Sequence, residues 1–90
     1  MAKVRIPTPL RTLTQGVDVV EISGANVGDI LNQLSAKFSG IDKRLFKNPG
    51  ELNRFVNVYV NDEDIRFLDN LTTQVKETDE VSIVPAIAGG

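Results

Sequence analysis

One stretch of helical periodicity, set among segments with alternating apolar residues, limits the fold of this chain more than any other feature. Its apolar residues recur at the spacing of a single helix face: Val27, Ile30, Leu31, Leu34 and Phe38. Asn26 is placed as the N-cap, and Asp29 lies in the first turn, where a carboxylate suits the helix dipole. Because Gly40 is a natural stop, the pattern predicts one helix whose apolar stripe must pack against another layer.

Alternation of apolar and polar residues, or a high β-branched content, predicts four strands, at residues 3–6, 17–23, 55–61 and 81–84. The segment FVNVYVN at 55–61 gives the clearest pattern, with its valines on one face. That face, formed by Val56, Val58 and Val60, is expected to meet the helix. The first two strands, at either end of a polar loop, suggest a hairpin.

Several shorter elements follow from local turn chemistry. Residues 41–46 indicate a brief helical turn, and the sequence Asn-Pro-Gly at 48–50 is typical of a tight turn. Residues 65–68 are predicted to form a short edge strand, and residues 68–80 a polar connection. Pro85 is expected to stop strand pairing, because proline has no amide hydrogen to donate.

The order of these elements predicts an α+β domain. A mixed sheet of four to five strands, with one main helix packed across it, would bury both apolar surfaces. If the last strand lies beside the first in the middle of the sheet, the arrangement is a β-grasp fold, as in ubiquitin. Ninety residues are enough for one domain, which we assign to residues 1–85, followed by a flexible Gly-Gly tail at 86–90.

Composition excludes several classes of function. The net charge of −2 and the absence of a basic cluster argue against binding to nucleic acid or to an anionic membrane. The sequence lacks an apolar run of membrane-spanning length and begins without a secretion signal, which predicts a cytoplasmic protein. Without cysteine or histidine, it cannot form disulfides, thiolate or imidazole zinc sites, or a thiol nucleophile.

Two further clusters of residues have alternative interpretations. The acidic run at 62–64 lacks the glycine and distal glutamate of a calcium loop, so we interpret it as a solvated turn and predict no metal site. Phe55 and Tyr59 lie on the strand face opposite the valines. If that face is exposed, the two aromatic residues form a docking surface for a partner; if it is covered, they are ordinary core.

Three stretches of the sequence resemble a known family. RIPTPLR near the start, LNRFVNVYVNDEDIRF in the middle and VSIVPAIAGG at the end are similar to the ubiquitin-like sulfur carriers of the ThiS and MoaD group. The middle and end stretches are most similar to the cysteine-biosynthesis branch, the CysO type. The resemblance spans nearly the whole chain and implies a β-grasp fold and a carrier that is not itself an enzyme.

The resemblance also implies a role for the last residues. In this family an E1-like enzyme uses ATP to convert the terminal glycine to an acyl adenylate and then to a thiocarboxylate, and the carrier itself binds no cofactor. By this correspondence Gly90 carries the sulfur, and Gly89, Ala88, Ile87 and Ala86 form a narrow access tail. The implied acceptor is a pyridoxal-phosphate cysteine synthase, with a peptidase that later frees the product.

Three alternatives remain open from the sequence. The first is the small subunit of molybdopterin synthase, which uses the same tail chemistry with another partner. The second is a protein modifier, in which the terminal glycine forms isopeptide bonds to lysines. The third is a ubiquitin-like interaction module in which the two final glycines have no chemical role. The acceptor, the activating enzyme and the oligomeric state are likewise left open.

Overall fold

A computed structural model describes residues 1–48, 51–53 and 55–85, which form one main sheet and one long helix. The strands are β1 (Ala2–Arg5), β2 (Val19–Ile22), β3 (Phe46–Asn48), β4 (Glu51–Leu52), β5 (Val56–Val60), β6 (Glu63–Asp64) and β7 (Glu80–Pro85). The helices are α1 (Val27–Lys37) and the short α2 (Asp42–Leu45). Three 3-10 turns lie at Thr8–Leu10, Ile65–Phe67 and Asn70–Thr72.

The main sheet has the strand order β2-β1-β7-β5-β6. Strands β1 and β7 pair in parallel, whereas the other neighbours in this sheet pair antiparallel. The last strand therefore lies beside the first in the middle of the sheet. This order confirms the predicted α+β class and β-grasp arrangement, with five strands in a mixed sheet and α1 as the main helix.

Helix α1 begins as the sequence predicts. The side-chain oxygen of Asn26 accepts a hydrogen bond from the Asp29 amide at 2.8 Å, which satisfies one of the amides that the first turn leaves free. Just before it, Gly24 lies so close to the helix that a β-carbon there would be 2.9 Å from the Ile30 side chain. Four members of the predicted stripe are buried, and the fifth, Phe38, is half-buried at the C-cap.

The core lies between α1 and one face of the sheet. Val56, Val58 and Val60 are all buried on that face, as predicted, because successive side chains of a strand point to opposite sides. On the opposite face, a row of directly paired residues crosses the sheet, in the order Val19, Arg5, Ser82, Tyr59 and Asp64. These residues are half-buried or exposed, so this second face is open to solvent.

The structure differs from the sequence prediction in three places. The edge strand predicted at 65–68 is wrong: Ile65–Phe67 is a 3-10 turn because the Asp64 carboxylate caps the Arg66 amide at 2.9 Å, and the edge strand is Glu63–Asp64 instead. Pro85 lies opposite Val56 within β7, so the strand continues one residue further than expected. A small β3-β4 hairpin was not predicted, and the two last residues of the expected 48–50 turn lie outside the described residues.

Candidate functional site

The residues that the sequence predicts as the sulfur-carrying tail lie outside the described residues: Ala86, Ile87, Ala88, Gly89 and Gly90. The structure describes the point from which they leave, which is Pro85 at the end of β7. The candidate site is therefore built around this residue.

Within the described residues, the end of β7 pairs with a neighbouring strand on one side and not on the other. On one side β5 pairs with β7 from Val60 opposite Val81 to Val56 opposite Pro85. On the other side the pairing with β1 ends at Arg5 opposite Ser82, because Pro7 and the 3-10 turn at Thr8–Leu10 lead β1 away from the sheet. The last residues of β7 thus lie between two open grooves.

The first groove, here called the tail-root groove, has a volume of about 310 Å³. It is lined by Pro9, Leu10, Lys43, Arg44, Asn53, Phe55, Val56 and Pro85. Leu10 and Val56 are buried and form an apolar floor, whereas the side chain of Phe55 is 55% exposed at the rim. Helix α2 contributes the two cations, Lys43 and Arg44, both exposed.

The second groove lies between β7 and the segment that follows β1, and its volume is also about 310 Å³. Two arginines and one carboxylate are among its lining residues, Arg5, Arg11 and Asp18. Arg5 forms an ion pair with Glu80 at 2.8 Å, and Arg11 donates a hydrogen bond to the Ile6 carbonyl at 3.1 Å. Both arginines are therefore held against the body of the protein.

The two predicted docking residues, Phe55 and Tyr59, lie in different surroundings in the structure. Phe55 lies just before β5, where its amide donates to the Asn53 side chain at 3.0 Å, and its ring lines the tail-root groove. Tyr59 is half-buried in the middle of β5, on the open face of the sheet beside Ser82, and lines neither groove. A docking surface that includes both residues stays a prediction.

Lys43 and Arg44 are site residues that sequence reasoning missed. They are far in sequence from Pro9, Phe55 and Pro85, and only the fold brings these segments to one groove. The one available signal was a pair of adjacent cations in a chain with more acidic than basic residues.

At the opposite end of the sheet, where β7 begins, acidic residues have a structural role. The Asp79 carboxylate accepts hydrogen bonds from the Lys76 amide and the Asn61 side chain, both at 2.8 Å, and the Lys76 amide is the main cause of its lowered pKa. On the edge strand β6, level with Tyr59 and Ser82, the pKa of Asp64 is lowered chiefly by its hydrogen bond from the Arg66 amide. In the part of the chain that the structure describes, no three acidic, histidine or cysteine residues are grouped to hold a metal.

No helix among the described residues has the length and apolar character needed to cross a membrane.

Comparison with sequence families and curated proteins identifies relatives over almost the whole length. The sequence model of the ThiS family matches residues 4–90, a span that includes the two final glycines. The chain is 49% identical over 89 residues to the sulfur carrier protein CysO of Mycobacterium tuberculosis, covering 97% of this chain and 96% of that protein.

Comparison with solved structures also finds similarity to a CysO protein. The CysO chain in the BexX/CysO complex of Amycolatopsis orientalis matches with a TM-score of 0.93 and 48% identity, and the match covers 100% of both chains. The small archaeal modifier protein 1 of Methanosarcina acetivorans matches with a TM-score of 0.88 and 30% identity, covering 99% of this chain and 95% of that one. The fold is thus shared by carriers and by a protein modifier.

Proposed function

The chain belongs to the ThiS family, and from this premise we propose that it carries sulfur as a thiocarboxylate on Gly90 for the biosynthesis of cysteine. The observation that supports this most directly is the combination of a family match extending through Gly90 with 49% identity to a CysO carrier over nearly the full length. The protein is a carrier that other enzymes use as a substrate. Its sequence has no histidine or cysteine to act as a base or nucleophile.

The chemistry of the proposal requires activation, because a carboxylate resists nucleophilic attack. An oxygen of the Gly90 carboxylate attacks the α-phosphorus of ATP, and pyrophosphate leaves, which forms an acyl adenylate. A sulfide sulfur then attacks the acyl carbon, AMP leaves, and Gly90 ends in a thiocarboxylate. ATP is a substrate of the E1-like adenylating enzyme, so the carrier needs no bound cofactor of its own.

The carrier contributes reach and a narrow tail. Five residues follow Pro85, and at about 3.3 Å each they can extend roughly 16 Å into a partner. Gly89 and Gly90 have no β-carbon, and Ala86 and Ala88 have small side chains, so the segment fits a narrow channel. The body of the protein is then the part that partners recognise.

The partners in this proposal act in sequence. An E1-like adenylating enzyme activates Gly90, a pyridoxal-phosphate cysteine synthase accepts the sulfur, and a peptidase frees the product from the carrier. One carrier of this kind, from Amycolatopsis orientalis, has been solved in complex with BexX. Phe55, on the rim of the tail-root groove, and Tyr59, on the open sheet face, are proposed to contact such partners.

A second candidate function is protein modification, which the similarity to a small archaeal modifier protein favours. A sulfur carrier should be recovered from cells as free protein with one oxygen replaced by sulfur. A modifier should be recovered as a ladder of conjugates to other proteins. Intact-mass spectra together with a denaturing blot distinguish the two, and a blot dominated by ladders without a thiocarboxylate mass would favour the modifier.

The role of Gly90 is tested by deleting it or by adding one residue after it. Either change should abolish acyl adenylate formation, measured as exchange of pyrophosphate into ATP with the adenylating enzyme. The melting temperature should stay nearly unchanged, because the end of a chain beyond the last strand contributes little to stability. A deletion variant that exchanges as fast as the parent would contradict the proposal.

Gly89 offers a matched pair of variants. Gly89→Val should impair exchange strongly because a β-branched side chain widens the tail and restricts its backbone, whereas Gly89→Ala should impair it much less. Equal rates for the two variants would show that width at this position does not matter.

A further inference from the structure

Charge is distributed unequally between the two ends of the sheet. Around the end of β7, the two grooves are lined by four cationic side chains and one carboxylate, namely Arg5, Arg11, Lys43, Arg44 and Asp18. Around the start of β7 lie five acidic residues, Asp62, Glu63, Glu77, Asp79 and Glu80, together with two lysines, Lys3 and Lys76. Since the Arg5 guanidinium is already paired with Glu80, the positive charge that remains at the tail end comes from Arg11, Lys43 and Arg44, on a chain whose net charge is −2.

The cations of the tail-root groove are available for a partner. Among the described residues, neither Lys43 nor Arg44 forms an ion pair within 4 Å, and both side chains are exposed. Two carboxylates elsewhere differ from them in this respect, since Asp64 is paired with Arg66, and Asp79 accepts two hydrogen bonds. A charge without an internal partner near an apolar groove contributes more to recognition than to stability.

The groove combines these cations with an apolar floor. Leu10 and Val56 lie at its base, and the exposed ring of Phe55 forms part of its rim. A volume of about 310 Å³ is enough to hold side chains of another protein. Its shape and charge together fit a surface that presents carboxylates around an apolar side chain.

We propose that the tail-root groove is the docking site for an acidic surface of the adenylating enzyme, with carboxylates facing Lys43 and Arg44 and an apolar side chain entering beside Phe55. This inference rests on the proposed function and adds the surface by which the enzyme recognises the carrier. The local positive charge orients the carrier so that its tail end arrives first, because opposite charges steer the encounter of two proteins.

A second copy of this chain is a less suitable occupant. Its own acidic end has the opposite charge, but a copy seated there would make a head-to-tail contact that covers the root of the tail, which must enter the adenylating enzyme in the proposed function. The enzyme surface remains the occupant to which we commit, and self-association is an outcome that the experiment detects.

The test compares two double variants with the same change in net charge. Lys43→Glu with Arg44→Glu reverses the groove cations, and Lys37→Glu with Lys76→Glu reverses two exposed lysines outside both grooves. Pyrophosphate exchange is measured against carrier concentration with the purified adenylating enzyme of the same organism. We expect the groove variant to raise KM about tenfold or more at low salt with kcat unchanged, while the control variant changes KM less than about twofold.

Salt dependence provides a second readout. The difference in KM between the groove variant and the parent should shrink as ionic strength rises, because salt screens exposed charges. Melting temperatures verify that both double variants fold. If the variant Lys43→Glu with Arg44→Glu does not fold, the milder variant Lys43→Gln with Arg44→Gln takes its place.

Three results would overturn the inference. Equal KM values for the two double variants would show that position on the surface does not matter. Self-association of the parent, abolished in the groove variant, would assign the groove to a second copy. A parent chain that supports no exchange at all would remove the proposed function and this inference with it, whereas an active parent with unaffected groove variants removes this inference alone.

Discussion

Where β7 begins, polar side chains bind one another, whereas where β7 ends, charged and aromatic side chains face solvent. At the first end, Asn61 donates to Asp79 at 2.8 Å and accepts from the Glu80 amide at 3.0 Å, which ties β5 to the start of β7. At the second end, Lys43 and Arg44 are exposed beside Phe55 in the tail-root groove. The two ends belong to the same strands but differ in how their polar groups are satisfied.

This difference separates the residues whose internal bonds hold the fold from the two exposed cations, Lys43 and Arg44, which can contact a partner. A polar group that is bonded internally stabilises the native state and is costly to remove. An exposed cation without an ion pair contributes little to stability, so it can be changed or recruited at little cost to folding. The predictions below test whether the acidic end is structural and the tail end functional.

The largest effect on stability should come from the core that both ends share. Leu34→Ala or Leu31→Ala, each in the fully buried stripe of α1, should lower the free energy of unfolding by about 2–5 kcal/mol because each leaves a cavity. Gln33→Ala, on the exposed face of the same helix, should stay within about 0.5 kcal/mol of the parent. Thermal melts measure all three, and leucine variants that melt with the parent would contradict the assigned core.

The next effect should come from Asn61, at the acidic end. Asn61→Ala removes the side-chain bonds to Asp79 and Glu80, and alanine tolerates the backbone φ of +51° less well than asparagine does, so the change should cost about 1–3 kcal/mol. Asn61→Gly also loses the bonds but tolerates a positive φ, and should cost less. If both variants are as stable as the parent in denaturant unfolding, the acidic end is not structural.

Sequence patterns predicted those elements in which buried residues recur at a regular spacing. The stripe on α1 and the valines of β5 each present one apolar face, and burial of those faces is what fixes the helix and the central strands. The segment at 65–68 was assigned wrongly because its apolar content suggested a strand, while a local hydrogen bond between Asp64 and Arg66 favoured a turn. The β3-β4 hairpin is too short to show any period.

The candidate site was predictable only in part. The resemblance of the final residues to a family pointed to Gly90 and its neighbours, but it did not indicate what surrounds Pro85. The tail-root groove joins residues from four separate segments, at 9–10, 43–44, 53–56 and 85, and such a juxtaposition depends on the fold. Lys43 and Arg44 can be identified as candidate site residues only when the fold shows that α2 lies beside the end of β7.

Acid should weaken the contacts of the two carboxylates that are bonded internally, Asp64 and Asp79. Because the folded-state pKa values of Asp64 and Asp79 are lowered, their contribution to stability is fully present above the usual pKa of 3.8 and is lost as pH falls through the lower folded values. The melting temperature should therefore fall below about pH 4. Asp79→Asn should make the decrease in melting temperature smaller, and the double variant Asp64→Asn with Asp79→Asn should make it smaller still. A parent profile that does not change between pH 5 and 3 would show that these carboxylates do not stabilise the fold.

The smallest effect compares an arginine that has an internal partner with one that has none among the described residues. Arg66 pairs with Asp64 at 3.2 Å and donates to Asn57, so Arg66→Gln should cost about 0.2–1 kcal/mol, the usual range for an exposed pair. Arg44 forms no ion pair with any described residue, so Arg44→Gln should leave the free energy of unfolding unchanged within error. The same substitution should weaken association with the adenylating enzyme at low salt, an effect that Arg66→Gln should not share. Denaturant unfolding and binding measured on both variants test this pairing of effects. If Arg44→Gln destabilises the fold as much as Arg66→Gln does, the tail end is held by internal contacts too, and the contrast between the two ends does not separate folding from recognition.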